Sequence, residues 1–96
     1  MTHNRIPYGT KLPVHFTQAQ LDDIREYTFA PEFAKHAIAE GKRLRVDLSL
    51  DDIEEIQGYV AAEANHTRNV QLRKRLDKLF LKFEKFLDTY DDQSDL

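Results

Sequence analysis

The chain reads as a mainly α protein: four helices ending in a long helical hairpin, with two short strands at about 12–16 and 43–48 that pair as a minimal sheet. Three observations predict this. The apolar series Leu72, Leu76, Leu79, Phe80, Phe83, Phe86, Leu87 and Tyr90 recurs at steps of three and four. At about 100° per residue it covers one face roughly 120° wide, the stripe of a helix lying against a core. Thr17 and Ser49 each follow a short alternating run and precede a helical pattern, as N-caps do. The composition, 41% hydrophobic and 32% charged over 96 residues, fits one modest core rather than a disordered chain.

Taken in order, residues 1–10 are expected to be a flexible arm. Ile6-Pro7-Tyr8-Gly9 reads as a turn with Pro second and Gly fourth. Leu12, Val14 and Phe16 alternate with Pro13 and His15, the period of a strand, and Pro13 makes it an edge strand. Thr17 and Gln20 have capping-box spacing, with Phe16 and Leu21 placed as a hydrophobic staple. The first helix should cover 18–28 and bury Leu21, Ile24 and Tyr27. Pro31 suits the first turn of a second helix, expected to turn Phe33, Ala34, Ala37 and Ile38 inward and to end at Gly41.

Leu44, Val46 and Leu48 alternate with Arg43, Arg45 and Asp47, giving the second strand. Ser49 caps the third helix, about 50–65, with Asp52 in its first turn and Leu48 with Ile53 as staple. Leu50, Ile53, Ile56, Val60, Ala61 and Ala64 form its inward face. Gly58 costs about 1 kcal/mol against Ala in a helix interior, so it is expected to admit a close backbone neighbour. Residues 65–69 are weak helix formers and should turn the hairpin. The fourth helix, 70–90, would be a rod of about 30 Å, long enough for its Phe-rich end to outrun its partner helix. Residues 91–96 read as an acidic disordered tail, and 11–90 as a single helical domain.

Laid without gaps, 11–28 matches 43–60 at an offset of 32: Leu12 falls on Leu44, Val14 on Val46, Thr17 on Ser49, Leu21 on Ile53 and Ile24 on Ile56. Shared local grammar accounts for this as well as duplication does. A strand cannot stand alone, so the two strands should pair with each other or across a dimer.

Chemistry is sparse. There are no cysteines and three scattered glycines, which removes thiolate metal sites, thiol nucleophiles and a Gly-rich phosphate loop. Ser49 is used as a cap. Glu63 and His66 have one di-iron-type spacing, but such centres need two copies and two further glutamates, so no metal is expected. Glu32 and His36 read as an exposed pair, and His3 and His15 have no identifiable partner. No enzyme activity and no cofactor are expected.

The charge map is more informative. Between Arg68 and Lys85 there are seven basic residues and two acidic ones, whereas Asp47 to Glu63 holds six acids and no base. The reading is a small non-enzymatic protein-interaction or adaptor module, homodimeric or binding a foreign protein. Its candidate interface is Leu79, Phe83, Phe86, Leu87 and Tyr90. The alternative is a nucleic-acid-binding accessory protein using the basic patch Arg68, Arg75, Lys78, Lys82 and Lys85, against which stands the net charge of −3. No run approaches the ~18 apolar residues of a membrane span, and Met-Thr-His-Asn-Arg lacks an apolar signal region, so the expected location is the cytoplasm without a membrane partner.

Overall fold

A computed structural model describes residues 4–28 and 31–93. The element order is β1 (Asn4–Pro7), β2 (Leu12–Phe16), α1 (Gln18–Tyr27), the single-turn α2 (Pro31–Ala34), β3 (Ile38–Glu40), β4 (Arg43–Leu48), α3 (Leu50–His66), α4 (Val70–Thr89) and β5 (Tyr90–Gln93). The fold is therefore α+β, with three helices of substantial length and five strands in two sheets. It corrects the expectation of a mainly α, four-helix protein with two strands.

Two departures produce the difference. The second helix stops after one turn at Ala34, and Ile38, expected on its inward face, begins a strand with 49% of its surface exposed. Gly41 does not end a helix. It stands at φ +61° in the two-residue turn joining β3 to β4, the first central position that favours glycine in a type II′ hairpin. The second departure lies at the chain's ends. Asn4 to Pro7, expected in a flexible arm, pair in parallel with Tyr90 to Gln93, of which 91–93 were expected in a disordered tail. The turn after β1 is also shifted by one residue. The Thr10 N–H donates to the Pro7 carbonyl at 3.1 Å, so Pro7 is first and Gly9, at φ +82°, is third. The remainder of those two terminal expectations, 1–3 and 94–96, lies outside the described residues.

The larger sheet is antiparallel in the order β2-β4-β3. β2 and β4 meet in register Leu12↔Leu48, Val14↔Val46 and Phe16↔Leu44. Val14 and Val46, equivalent under the offset of 32, are thus direct partners, and the register of the two strands is symmetric about that pair. Both caps form as expected. Thr17 and Gln20, and Ser49 and Asp52, each make reciprocal capping boxes, satisfying backbone N–H groups that a helix start leaves open.

The alternation sorts the sheet's faces. Leu12, Val14, Phe16, Val46 and Leu48 turn inward and are buried, together with Leu21 and Ile24 of α1, five apolar residues of α3, and Leu72, Leu76, Leu79 and Phe83 of α4. The outer face carries a network in which Glu40 accepts from His15 at 2.8 Å and Arg45 at 2.6 Å, while Arg45 also lies 3.2 Å from Asp47. His15 therefore has the partner its sequence context did not reveal, and it holds the Glu40 carboxyl below its ordinary value. Tyr8 donates to Asp51 at 2.6 Å and Lys11 to Asp52 at 2.9 Å, tying the segment before β2 to the start of α3.

α3 and α4 run back along each other. Asn69 caps α4 by accepting from the Leu72 N–H, and the Arg73 guanidinium donates to the carbonyls of Ala64 and Thr67 at 3.2 and 2.9 Å, closing the end of α3. Gly58, expected to admit a neighbour, faces open space: a Cβ there would meet nothing within 4 Å. Among the described residues no helix is long and apolar enough to cross a membrane.

Candidate functional site

α4 has two kinds of surface. Its inner stripe is spent on the core, and that includes two of the five residues expected at a partner interface. Leu79 and Phe83 are 1% and 0% exposed. Phe83 is covered by the sheet as well as by α3, its ring centroid lying 5.9 Å from that of Phe16 at the end of β2. The other three, Phe86, Leu87 and Tyr90, are half-buried against the edge of the core, and the rings of Phe86 and Tyr90 stack one turn apart at 6.1 Å. The boundary between core and surface thus falls between Phe83 and Phe86.

Beside that boundary lies an open groove lined by Leu81, Lys82, Lys85 and Phe86, continued past Lys85 and Phe86 by Thr89 and Tyr90. Leu81, which falls off the main apolar stripe, is 64% exposed. Phe86 is partly covered and fixed by Tyr90. The groove is therefore a shallow apolar trough with lysines on its walls, built on a helix whose opposite face is locked into the core.

The expected basic patch divides. Arg75 is committed: its Nε and Nη2 donate to the two carboxylate oxygens of Asp23 on α1, at 2.9 and 3.3 Å. This fork-to-carboxylate pair fastens α4 to α1 and raises the Arg75 pKa above its ordinary value. Arg68 precedes α4 and lies about 20 Å from Lys82 by helical rise. Lys82 and Lys85 line the groove, and Lys78, four positions before Lys82, lines a separate recess with Gln71, Lys74 and Asp77.

Lys82 differs from its neighbours. Its ammonium lies 5.5 Å from the centroid of the Phe16 ring, a cation–π distance. Because Phe16 pairs with Leu44, Lys82 lies near the start of β4. Burial, and then the charge of Arg43, push the Lys82 ammonium below its ordinary value. Arg43 was not among the expected site residues. It is 39 positions away, on β4. Glu40 sits opposite Arg43 in the β3–β4 register, yet both its oxygens are taken by His15 and Arg45. Among the described residues neither Arg43 nor Lys82 makes an ion pair, in contrast to Lys11, Arg25, Arg45 and Arg75.

A second recess, between α2 and the junction of β4 with α3, is lined in part by Lys11, Glu32, Phe33, His36, Asp47 and Asp52. Its best-placed groups already have structural work. Asp52 closes the Ser49 capping box and accepts from Lys11. Glu32 and His36 are exposed, and among the described residues no three His, Asp or Glu side chains cluster as metal ligands would. The groove on α4 is the stronger candidate, and its chemistry is apolar contact plus anion attraction. No family model matches this chain, and comparison with curated proteins and with solved structures returned no match.

Proposed function

We propose that the protein is a small non-enzymatic interaction module of the cytoplasm, whose binding surface is the outward arc of α4 from Leu81 to Tyr90. One observation carries the reading. Leu81 and Phe86 form a trough flanked by lysines that make no ion pair among the described residues, on a helix whose opposite face is packed into the core. A pre-organised surface of this kind costs little conformational entropy when it binds, and an amphipathic segment laid in a groove is a recurring way for a helix face to be read. The absence of cysteines leaves nothing in the chain dependent on an oxidising compartment.

The test is a random 16-residue peptide display library selected in parallel on the full chain and on its Leu81→Asp variant, alongside light scattering over a concentration series. Peptides enriched on the wild type but not on the variant, or a self-association abolished by Leu81→Asp, support the module. A strict monomer with no such enrichment contradicts it.

The run Lys78, Lys82 and Lys85, none of which makes an ion pair among the described residues, favours a second reading as a phosphate-tracking surface. Weighing against it are the commitment of Arg75 to Asp23 and the apolar floor of the groove, which gives a phosphate nothing. A mobility shift with short DNA or RNA at low salt, lost at high salt, would favour this alternative.

A further inference from the structure

We infer that the recess beside α2 takes a short extended peptide of the pattern apolar-basic-apolar, whose central residue adds to the free edge of β4 at Asp47. This site is separate from the α4 surface and goes beyond it to a second kind of partner segment.

The sheet register locates the site. Glu40 and Arg43 flank the two-residue turn of the β3–β4 hairpin, and residues so placed exchange both of their N–H···O bonds. Alternation gives Ile38 and Arg45 the same exchange, and would give the next one to His36 and Asp47. β3 stops at Ile38, while β4 runs on to Leu48. The backbone N–H and carbonyl of Asp47 therefore face the side that β3 has left, and among the described residues no backbone group pairs with them there. The opposite edge of the sheet obeys the same alternation. It turns Pro13 toward the outer side of β2, where the missing N–H of a proline costs no ladder bond.

The recess runs along this vacated edge. Val46 and Leu48 turn inward and Asp47 outward, yet all three line it, with Phe33 of α2 beside them. Its volume is about 240 Å³, below the roughly 300 Å³ at which drug-sized sites begin, so it suits side chains on a short length of backbone. A strand residue opposite Asp47 sends its side chain to the face that Asp47 is on, and its two neighbours send theirs inward. Inward, those neighbours meet Phe33, Val46 and Leu48, which calls for apolar residues. Outward, the central side chain meets Asp47, with Glu32 and Asp52 also on the rim. Lys11 lies 2.9 Å from Asp52 and Arg45 3.2 Å from Asp47, while Glu32 makes no ion pair among the described residues. The acid left over selects a cationic central residue.

The probe is acetyl-Thr-Val-Arg-Val-Thr-amide, titrated into the isotope-labelled full chain and followed by chemical shifts. Saturable changes at Val46, Asp47 and Leu48, with slowed hydrogen exchange of the Asp47 amide, support the inference. Two N-methylated peptides then test strand pairing. Methylating the arginine nitrogen removes the donor aimed at the Asp47 carbonyl and should abolish binding. Methylating the next valine nitrogen removes a donor on the other edge and should leave binding intact. Replacing the arginine with glutamate should weaken binding about fivefold, the upper range for a charge set directly across a strand pair, and Glu32→Gln should shrink that preference. Phe33→Ala should weaken the parent peptide, with thermal unfolding checking that each variant folds. No change at Asp47 up to the solubility of the peptide overturns the inference. Equal binding of the two N-methylated peptides, or of the arginine and glutamate peptides, also overturns it.

Discussion

Replacing Gly58 with alanine should stabilise the protein. The residue lies nine positions into α3, Leu50–His66, on the exposed side of the helix. A Cβ built there meets nothing within 4 Å, so the substitution gains helix propensity without paying in overpacking. Glycine in a helix interior is less favourable than alanine by about 0.8–1.0 kcal/mol, much of it backbone entropy lost on folding. A gain of roughly 0.5–1 kcal/mol is expected, which for a domain of this size raises Tm by about 2–8 °C. Urea denaturation should show a higher midpoint with an unchanged m-value, since the same surface is exposed on unfolding. Gly41→Ala is the control. Its Cβ would also meet open space, but the residue stands at φ +61°, so alanine should destabilise by about 1 kcal/mol through backbone strain. A loss at Gly58, or equal effects at both glycines, would refute the reasoning. It would mean that a neighbour presses on Gly58 after all.

Other perturbations probe different parts of the account. Phe83→Ala should cost about 3–5 kcal/mol in a denaturant titration, the range for a fully buried aromatic, and Phe86→Ala clearly less, because Phe83 is core and Phe86 only half-buried. Burial pushes the Asp52 carboxyl up, but the Ser49 backbone N–H, Lys11 and the Ser49 hydroxyl outweigh it and leave it below its ordinary value of 3.8. Its stabilising contribution is therefore fully present above pH 3.8 and is lost as pH falls through the lower folded value. The stability gap between wild type and Asp52→Asn should accordingly narrow at acid pH, measured as urea midpoints at neutral pH and below 3.8. A chain beginning at Tyr8 lacks β1, and hydrogen exchange at 90–93 should then lose protection while α3 and α4 keep theirs.

What could be read from the sequence was what neighbouring residues decide. Thr17 with Gln20, and Ser49 with Asp52, cap helices because the partners lie three residues apart, and both boxes form. The alternation of Leu12, Val14 and Phe16 with that of Leu44, Val46 and Leu48 located β2 and β4. Ile38 to Glu40 defeated the same logic. Three residues are too few to show a period, all three are exposed, and Ala34, Ala37 and Ala39 favour a helical reading. The pairing of β1 with β5 joins the two ends of the chain, and Asp91 and Asp92 have poor strand propensity, so no local signal announces it.

The groove shows the same division. The helical phase of α4 ranked its faces correctly but not how far along the helix the core extends. The sheet reaches over Phe83 through Phe16, and so Leu79 and Phe83 became core rather than interface. The basic stripe likewise looked uniform, until tertiary contacts gave Arg75 to Asp23 and set Lys82 over the Phe16 ring. Charge in a sequence shows supply; only the fold shows which charges are left over.

The location of the binding surface is tested most directly by chemical-shift mapping of an enriched peptide on the isotope-labelled full chain. Perturbations should cluster at Leu81, Lys82, Lys85 and Phe86. Perturbations confined to the β3 edge at Ile38–Glu40, or to the recess of Glu32, His36 and Asp47, with the end of α4 silent, would contradict it.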